Sequence, residues 1–362
     1  MQIELNPFDT LFFRDGKPFE RGDEVWANGL FPPAPSVVYG ALRTVLMSQN
    51  LDWLNKAGGP EDLTQDLRIK ALLIKKGSEL FLPCPYDVVD DLKKTRSKPL
   101  VLSLQEKKML SSYPSKHVLI PPPPHEGEVL ETCGGTHMLA ESEFNTYLKG
   151  ETPFPTAIDV FVEKEPKIGI QKNAETGSSA EGMLYRVELL RLKEDVGFYV
   201  DIILPHLNDK TSFPLKGLIN IGGEGKSMAY STAEQALNIR MPKLEGTRFK
   251  VVVCSPACFE QGWLPGGINN RTLEGTWRGQ RVKILAAAME RSTYLGGFAM
   301  KTKHQAGGPK PMRRALPAGT VYYIELLEGT IEAAAAAFHG QCISEFGLDK
   351  EGFGLAFVGA IK

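Results

Sequence analysis

Two stretches of this chain follow one plan, and that repetition constrains the fold more than any single motif. Residues 211–230 run from a short helix-like piece into IGGEGKS at 221–227 and then into apolar residues. Residues 329–362 run from the Ala-rich helix IEAAAAAF at 331–338, through a polar loop, to GFGLAFVG at 352–359. A helical piece, a glycine loop and an apolar segment in both read as a fold used twice. The boundary falls near 240–247, before the strand-like RFKVVVC at 248–254. That predicts one unit over 1–245 and a second over 246–362. A chain of 362 residues is long enough for two such cores.

The opening stretch, 7–47, sets up the first unit. Phe12 and Phe13 look strand-like and run into a turn at Arg14-Asp15-Gly16. A second turn-rich segment, 22–28, leads to the hinge Phe31-Pro32-Pro33-Ala34-Pro35. Ser36 is then expected to cap a helix over 36–50. Its apolar stripe is Val38, Leu42, Val45 and Leu46, with Arg43 on another face. The free backbone N–H groups of its first turn suit an anion such as a phosphate.

Further along, Ile3 and Leu5 alternate as in a strand, and the runs 68–76 and 78–83 flank Gly77 as in a hairpin. The polar, proline-interrupted block within about 84–155 reads as an insertion, with a short helix near 140–149. Residues 166–192 read as a long hairpin with a polar tip at 173–181, and FYVDIIL at 198–204 as a strand beside it. QRVKILAAAM at 280–289 and TVYYIEL at 320–326 are two more strands.

Net charge is −1, so the whole molecule is not a basic nucleic-acid binder, and any anion site must come from local clustering. No apolar run reaches the 18 or more residues of a membrane span, and no leader pattern is visible at the start. Five scattered cysteines fit thiols in a reducing cytoplasm. Only Cys254 and Cys258 are close, and no second pair completes a zinc site. The six histidines lack metal spacing and no Ser-His-Asp or Cys-His arrangement is legible, so neither metal nor cofactor is expected.

IGGEGKS is not a phosphate-binding P-loop, because Asn220 stands where that motif needs Gly and no long helix follows. The same glycines could instead bring backbone N–H groups close to an RNA backbone, or simply make a tight turn. The sharpest charge signal lies at 291–324: Arg291, Lys301, Lys303, Lys310, Arg313 and Arg314, with His304 among them and no Asp or Glu. Gly-Gly pairs and prolines interrupt it, so it reads as a basic loop suited to phosphate contacts.

Four segments together resemble one known family: PFDTLFFRDGKPFERGDE, LFPPAPSVVYGALR, GIQK…GMLYRVELLRL and LGGF…PKPMRRALPAGTVYYIE. They are similar to the third, RAMP-superfamily subunit of type III-B (Cmr) CRISPR effector complexes. The similarity runs along the whole chain and is weakest at 90–155. It implies an α+β fold of two ferredoxin-like, RRM-related domains with glycine-rich loops and long loop and hairpin insertions. It also implies a non-catalytic role, gripping the repeat-derived 5′ tag of the guide RNA (crRNA) in the cytoplasm. The implied partners are the large polymerase-like subunit and the adjacent RAMP backbone subunit, with target RNA near the hairpin. Carried onto this chain, Arg14, Ser36, Tyr39, Arg43, Gly222, Gly223, Gly225 and Lys226 face RNA, as do Lys301, Lys303, His304, Lys310, Arg313 and Arg314. Glu224 departs from that picture, being an anion in a loop meant to meet phosphate.

Two other readings use the same residues. A metal-independent guide-processing ribonuclease would need His304, with Tyr294 and Lys301, as its acid–base group. A scaffold bridging the large subunit and the filament would need no RNA contact.

Overall fold

The computed structural model describes residues 1–14, 26–91, 98–106, 114–123, 129–172, 179–204, 213–304 and 306–361. The turn at 15–16, most of 22–28 and most of the hairpin tip lie outside them. Alternation builds the first strand, β1 (Gln2–Pro7), with Ile3 and Leu5 fully buried. The stripe on helix α1 (Pro35–Ser48) is buried as its spacing requires. Its cap is a correction: Ala34, not Ser36, holds the N-cap position and gives no side-chain bond. Pro35 presets a helical φ and needs no N–H partner, so the helix starts one residue early and Ser36 lies in its first turn.

The short helix α2 (Leu51–Lys56) follows, then the hairpin β2 (Arg68–Lys76) and β3 (Glu79–Pro83) about Gly77. The block at 84–155 is less peripheral than its composition suggests. It supplies strand β4 (His137–Ala140) and helix α3 (Glu141–Leu148). After the two-residue β5 (Thr156–Ala157) comes the long hairpin, β6 (Val162–Lys172) and β7 (Ser179–Leu192), paired from Val162↔Leu192 out to Lys172↔Ser179. Strands β8 (Val196–Ile203), β9 (Lys216–Asn220) and β10 (Ser227–Thr232) complete the first half.

β9 overturns the helix-like reading of its segment. Gly217 disfavours helix, the branched Ile219 favours extended backbone, and five residue pairs tie β9 to β10. The repetition at 211–230 and 329–362 is therefore of loop and strand, not of helix.

The second half holds β11 (Arg248–Val253), β12 (Glu274–Trp277), β13 (Gln280–Ala288), the short rungs β14 (Thr293–Leu295), β15 (Phe298–Ala299), β16 (Gly308–Pro309) and β17 (Arg313–Ala315), and then β18 (Val321–Leu326). Helix α4 (Ile331–Phe338), β19 (Gln341–Cys342) and β20 (Leu355–Gly359) end it. The result is a strand-rich mixed α/β fold with few helices.

The first sheet has eight strands in the order β5-β4-β3-β2-β8-β1-β10-β9, and the second has six, β12-β13-β18-β11-β20-β19. Four neighbouring strands in each, β2-β8-β1-β10 in the first and β13-β18-β11-β20 in the second, follow one rule. The first strand lies between the fourth and the third, the third pairs with the second, and all pairings are antiparallel. A helix follows the first strand in one sheet (α1) and the third in the other (α4).

One apolar layer lies between the sheets. Ala71, Leu73 and Tyr199 from the first, Val252, Tyr323 and Phe357 from the second, and Phe144 and Tyr147 from α3 share it. α1 and α4 cover the opposite faces. Inside the shared layer sits a polar cluster. The Tyr147 hydroxyl donates to both Asp87 carboxylate oxygens at 2.7 and 2.8 Å, and that of Tyr323 donates at 2.7 Å. Lys250 Nζ lies 3.4 Å from Asp87 Oδ2 and 4.0 Å from the Tyr147 ring centroid. Burial pushes the Lys250 ammonium below its ordinary range, and the Asp87 charge opposes that shift.

All five cysteines are free and all but Cys342 are buried. Among the described residues, no helix is long and apolar enough to cross a membrane and no His/Cys/Asp/Glu group could hold a metal ion.

Candidate nucleic-acid interface

The basic segment expected as a loop is a two-stranded ribbon. β14 pairs with β17, so that Tyr294 faces Arg314, and β15 pairs with β16 nearer the tip. The Lys310 N–H donates to the Gly297 carbonyl at 2.8 Å between these rungs. The Gly-Gly pairs that suggested a loop let the two arms close. A Cβ on Gly307 would lie 3.0 Å from the Lys301 amide nitrogen.

The ribbon presents Lys301, Lys303, His304, Lys310 and Arg314 to solvent, with Arg313 half-buried. Exposed apolar side chains alternate with them: Tyr294, Phe298, Met300 and Met312. The tip folds back onto the first half, where a Cβ on Gly59 would lie 2.9 Å from His304 Cδ2. Beside it, Lys56 holds the Glu61 carboxyl below its ordinary range, and the His304 charge adds to this. The Arg313 guanidinium carbon lies 3.9 Å above the Phe346 ring centroid. Tyr294 is at the stem and His304 at the tip, so the acid–base grouping weighed from the sequence is not assembled.

Where the stem meets the hinge at 30–35 there is a cavity of about 440 Å³, lined by Phe31, Phe81, Tyr86 and Tyr294 among others. Among the described residues no Lys, Arg, Asp or Glu lines it.

The glycine loop at 221–226 is a separate locality, turned toward its own chain. The Gly223 N–H donates to the Phe12 carbonyl at 2.9 Å. Lys226 Nζ donates to Thr10 Oγ1 at 2.9 Å and lies 3.4 Å from Asp9 Oδ2. A hydrogen bond from the Thr10 N–H, and after it Lys226, hold the Asp9 carboxyl below its ordinary range. Glu224 stands at φ 59°. Arg14 is exposed and bridges Gly29 through its backbone.

Gly222→Ala is expected to destabilise the protein by more than about 2 kcal/mol in urea unfolding, because its Cβ would meet the Phe12 carbonyl oxygen at 2.4 Å at φ 75°. Gly225→Ala, at φ 64° with open space around it, should cost only about 1 kcal/mol. Equal costs would mean that the loop is not held by Phe12.

The α1 residues divide. Ser36 is half-buried in the first turn. Tyr39 is buried, which pushes its hydroxyl up, and 3.5 Å separates that hydroxyl from the Gln65 carbonyl. Arg43 has a structural partner, its guanidinium donating to Asp62 at 2.6 Å and to Thr64 Oγ1 at 3.1 Å. Burial alone would raise the Asp62 carboxyl, but Thr64, the Gly58 N–H and Arg43 hold it below its ordinary range. Tyr39 and Arg43 therefore support the platform on which the ribbon tip rests.

Over residues 3–361 the chain matches the family described as CRISPR-associated protein (Cas_Cmr3). The chain belongs to the Cmr3 family. This agrees with the type III-B resemblance of its sequence. Two solved structures are similar to this Cmr3-family chain, both of a type III-B Cmr-beta complex bound to cognate target RNA, one of them also with AMPPnP. TM-scores are 0.54 without and 0.53 with the nucleotide. Each is 16% identical and the match covers 89% of this chain and 86% of the other, a likeness of fold. No curated protein matches.

From the sequence, Tyr294 was weighed only as part of an acid–base grouping, and Phe298, Phe346 and Glu351 were not singled out. Tyr294 and Phe298, interleaved with cations, were a legible signal. Phe346 and Glu351 were not, because only folding brings 346–351 beside 310–313.

Proposed function

We propose that this Cmr3-family chain is a non-catalytic guide-RNA-binding subunit that anchors the 5′ tag of the crRNA. In this role it bridges the large polymerase-like subunit and the adjacent RAMP backbone subunit. The ribbon carries this reading: cations, exposed aromatic residues and no carboxylate on one two-stranded element. Phosphates meet the cations, and unpaired bases stack on Tyr294 and Phe298. The long hairpin β6–β7 reaches toward the guide–target duplex. The shared strand order of the two sheets supports two ferredoxin-like domains, 1–245 and 246–362, each with one of the two expected helices.

The purified protein is expected to bind labelled single-stranded RNA carrying a repeat-derived 5′ end and to leave it uncut, with or without chelator. Cleavage lost in His304→Ala would replace this reading with the ribonuclease. Absence of RNA binding, with tight binding of the large subunit, would leave a scaffold.

A further inference from the structure

The turn at Leu348–Glu351 ends in Gly352 at φ 97°. A Cβ there would meet Ile69 at 2.8 Å and Pro35 at 3.4 Å, so the turn is packed against the first residue of α1. Glu351 is only 8% exposed, and its Oε2 has no hydrogen-bond partner among the described residues. Its other oxygen has only a long contact, 3.7 Å to Lys310 Nζ, and that lysine is 48% exposed. A buried carboxylate oxygen left without a donor is costly and calls for a partner from outside.

The surroundings say what kind of partner. Lys310 and Arg313 supply positive charge from the ribbon, and the guanidinium plane over Phe346 offers a stacking surface. Phe346 holds a left-handed φ of 63° while its ring is half in solvent. A cation for a phosphate, a flat surface and a buried acceptor, all within one turn and one ribbon arm, match the three parts of a nucleotide.

We propose that Glu351 reads one base of the bound RNA. Lys310 swings from the carboxylate to the phosphate, the base stacks by Arg313 and Phe346, and Glu351 accepts N–H donors from the base edge. Guanine offers two adjacent donors, and cytosine or adenine an amino group. Uracil offers one N–H between two carbonyl oxygens that repel a carboxylate. The site therefore prefers amino-bearing bases. This rests on the RNA-binding reading above.

The test uses the full chain and an all-uracil RNA strand into which one guanine or cytosine is placed, position by position. Wild type should show one position where the replacement tightens binding roughly tenfold. In Glu351→Gln that ratio should fall toward one, while affinity for the all-uracil strand, which reports an intact fold, is kept. A preference that survives Glu351→Gln, or no preferred position in wild type, overturns the inference while leaving RNA binding intact. No binding of any strand overturns both.

Discussion

Lys250→Met is expected to cost about 3–5 kcal/mol of stability, since breaking a buried ion pair leaves the remaining charge uncompensated. Asp87 would keep only the Tyr147 and Tyr323 hydroxyls, with no solvent to replace the ammonium. Adding Asp87→Asn should recover a good part of the loss, because an amide accepts the tyrosine hydroxyls without an unpaired charge. Urea unfolding of the two single variants and the double variant gives the coupling directly. The cluster joins residues on both sides of position 245, so both halves should lose stability together. A cost below about 1 kcal/mol for Lys250→Met would mean that the pair behaves as a solvated one.

That cluster marks where the sequence stops being legible. α1 was readable because Val38, Leu42, Val45 and Leu46 recur at helical spacing and only a core can use that stripe. The hairpin about Gly77 was readable for the equivalent reason in strands. Lys250, by contrast, occupies a polar position in RFKVVVC, which alternation assigns to solvent. It is buried because α3, from a segment that reads as an insertion, covers the face it shares with Val252 and Cys254. Asp87, in a Pro-Tyr-Asp turn sequence, carries no local sign of its three partners. The ribbon's charge was legible but its form was not. Glycine pairs signal a break in regular structure, yet here they allow two arms to pack at short range. IGGEGKS read either as a loop that meets an RNA backbone or as a tight turn, and in the fold Gly222 and Gly223 let Phe12 come close. A glycine states that something comes close, and only the fold says what.

The ribbon supplies the other large effect. Replacing Lys301, Lys303 and Arg314 together by Ala should weaken RNA binding in a way that depends on salt. All three are exposed, and none forms an ion pair among the described residues. Arg313 and Lys310 are left in place because they lie beside Phe346 and Glu351. For single strands each neutralised phosphate contributes about −0.7 to the slope of log K against log salt, so three lost contacts flatten it by about 2. Between roughly 50 and 200 mM salt the gap between wild type and variant should then narrow about 20-fold. What remains at high salt is the stacking part, carried by Tyr294 and Phe298, and Tyr294→Ala with Phe298→Ala should remove it with little change in slope. If the charge variant binds as wild type does at every salt concentration, the ribbon does not carry the RNA. If it is weaker by a constant factor, its cations act by shaping the ribbon and not by meeting phosphates. The two sets of variants thus separate charge from stacking on one element, and only a surface that uses both gives opposite salt behaviour in the two.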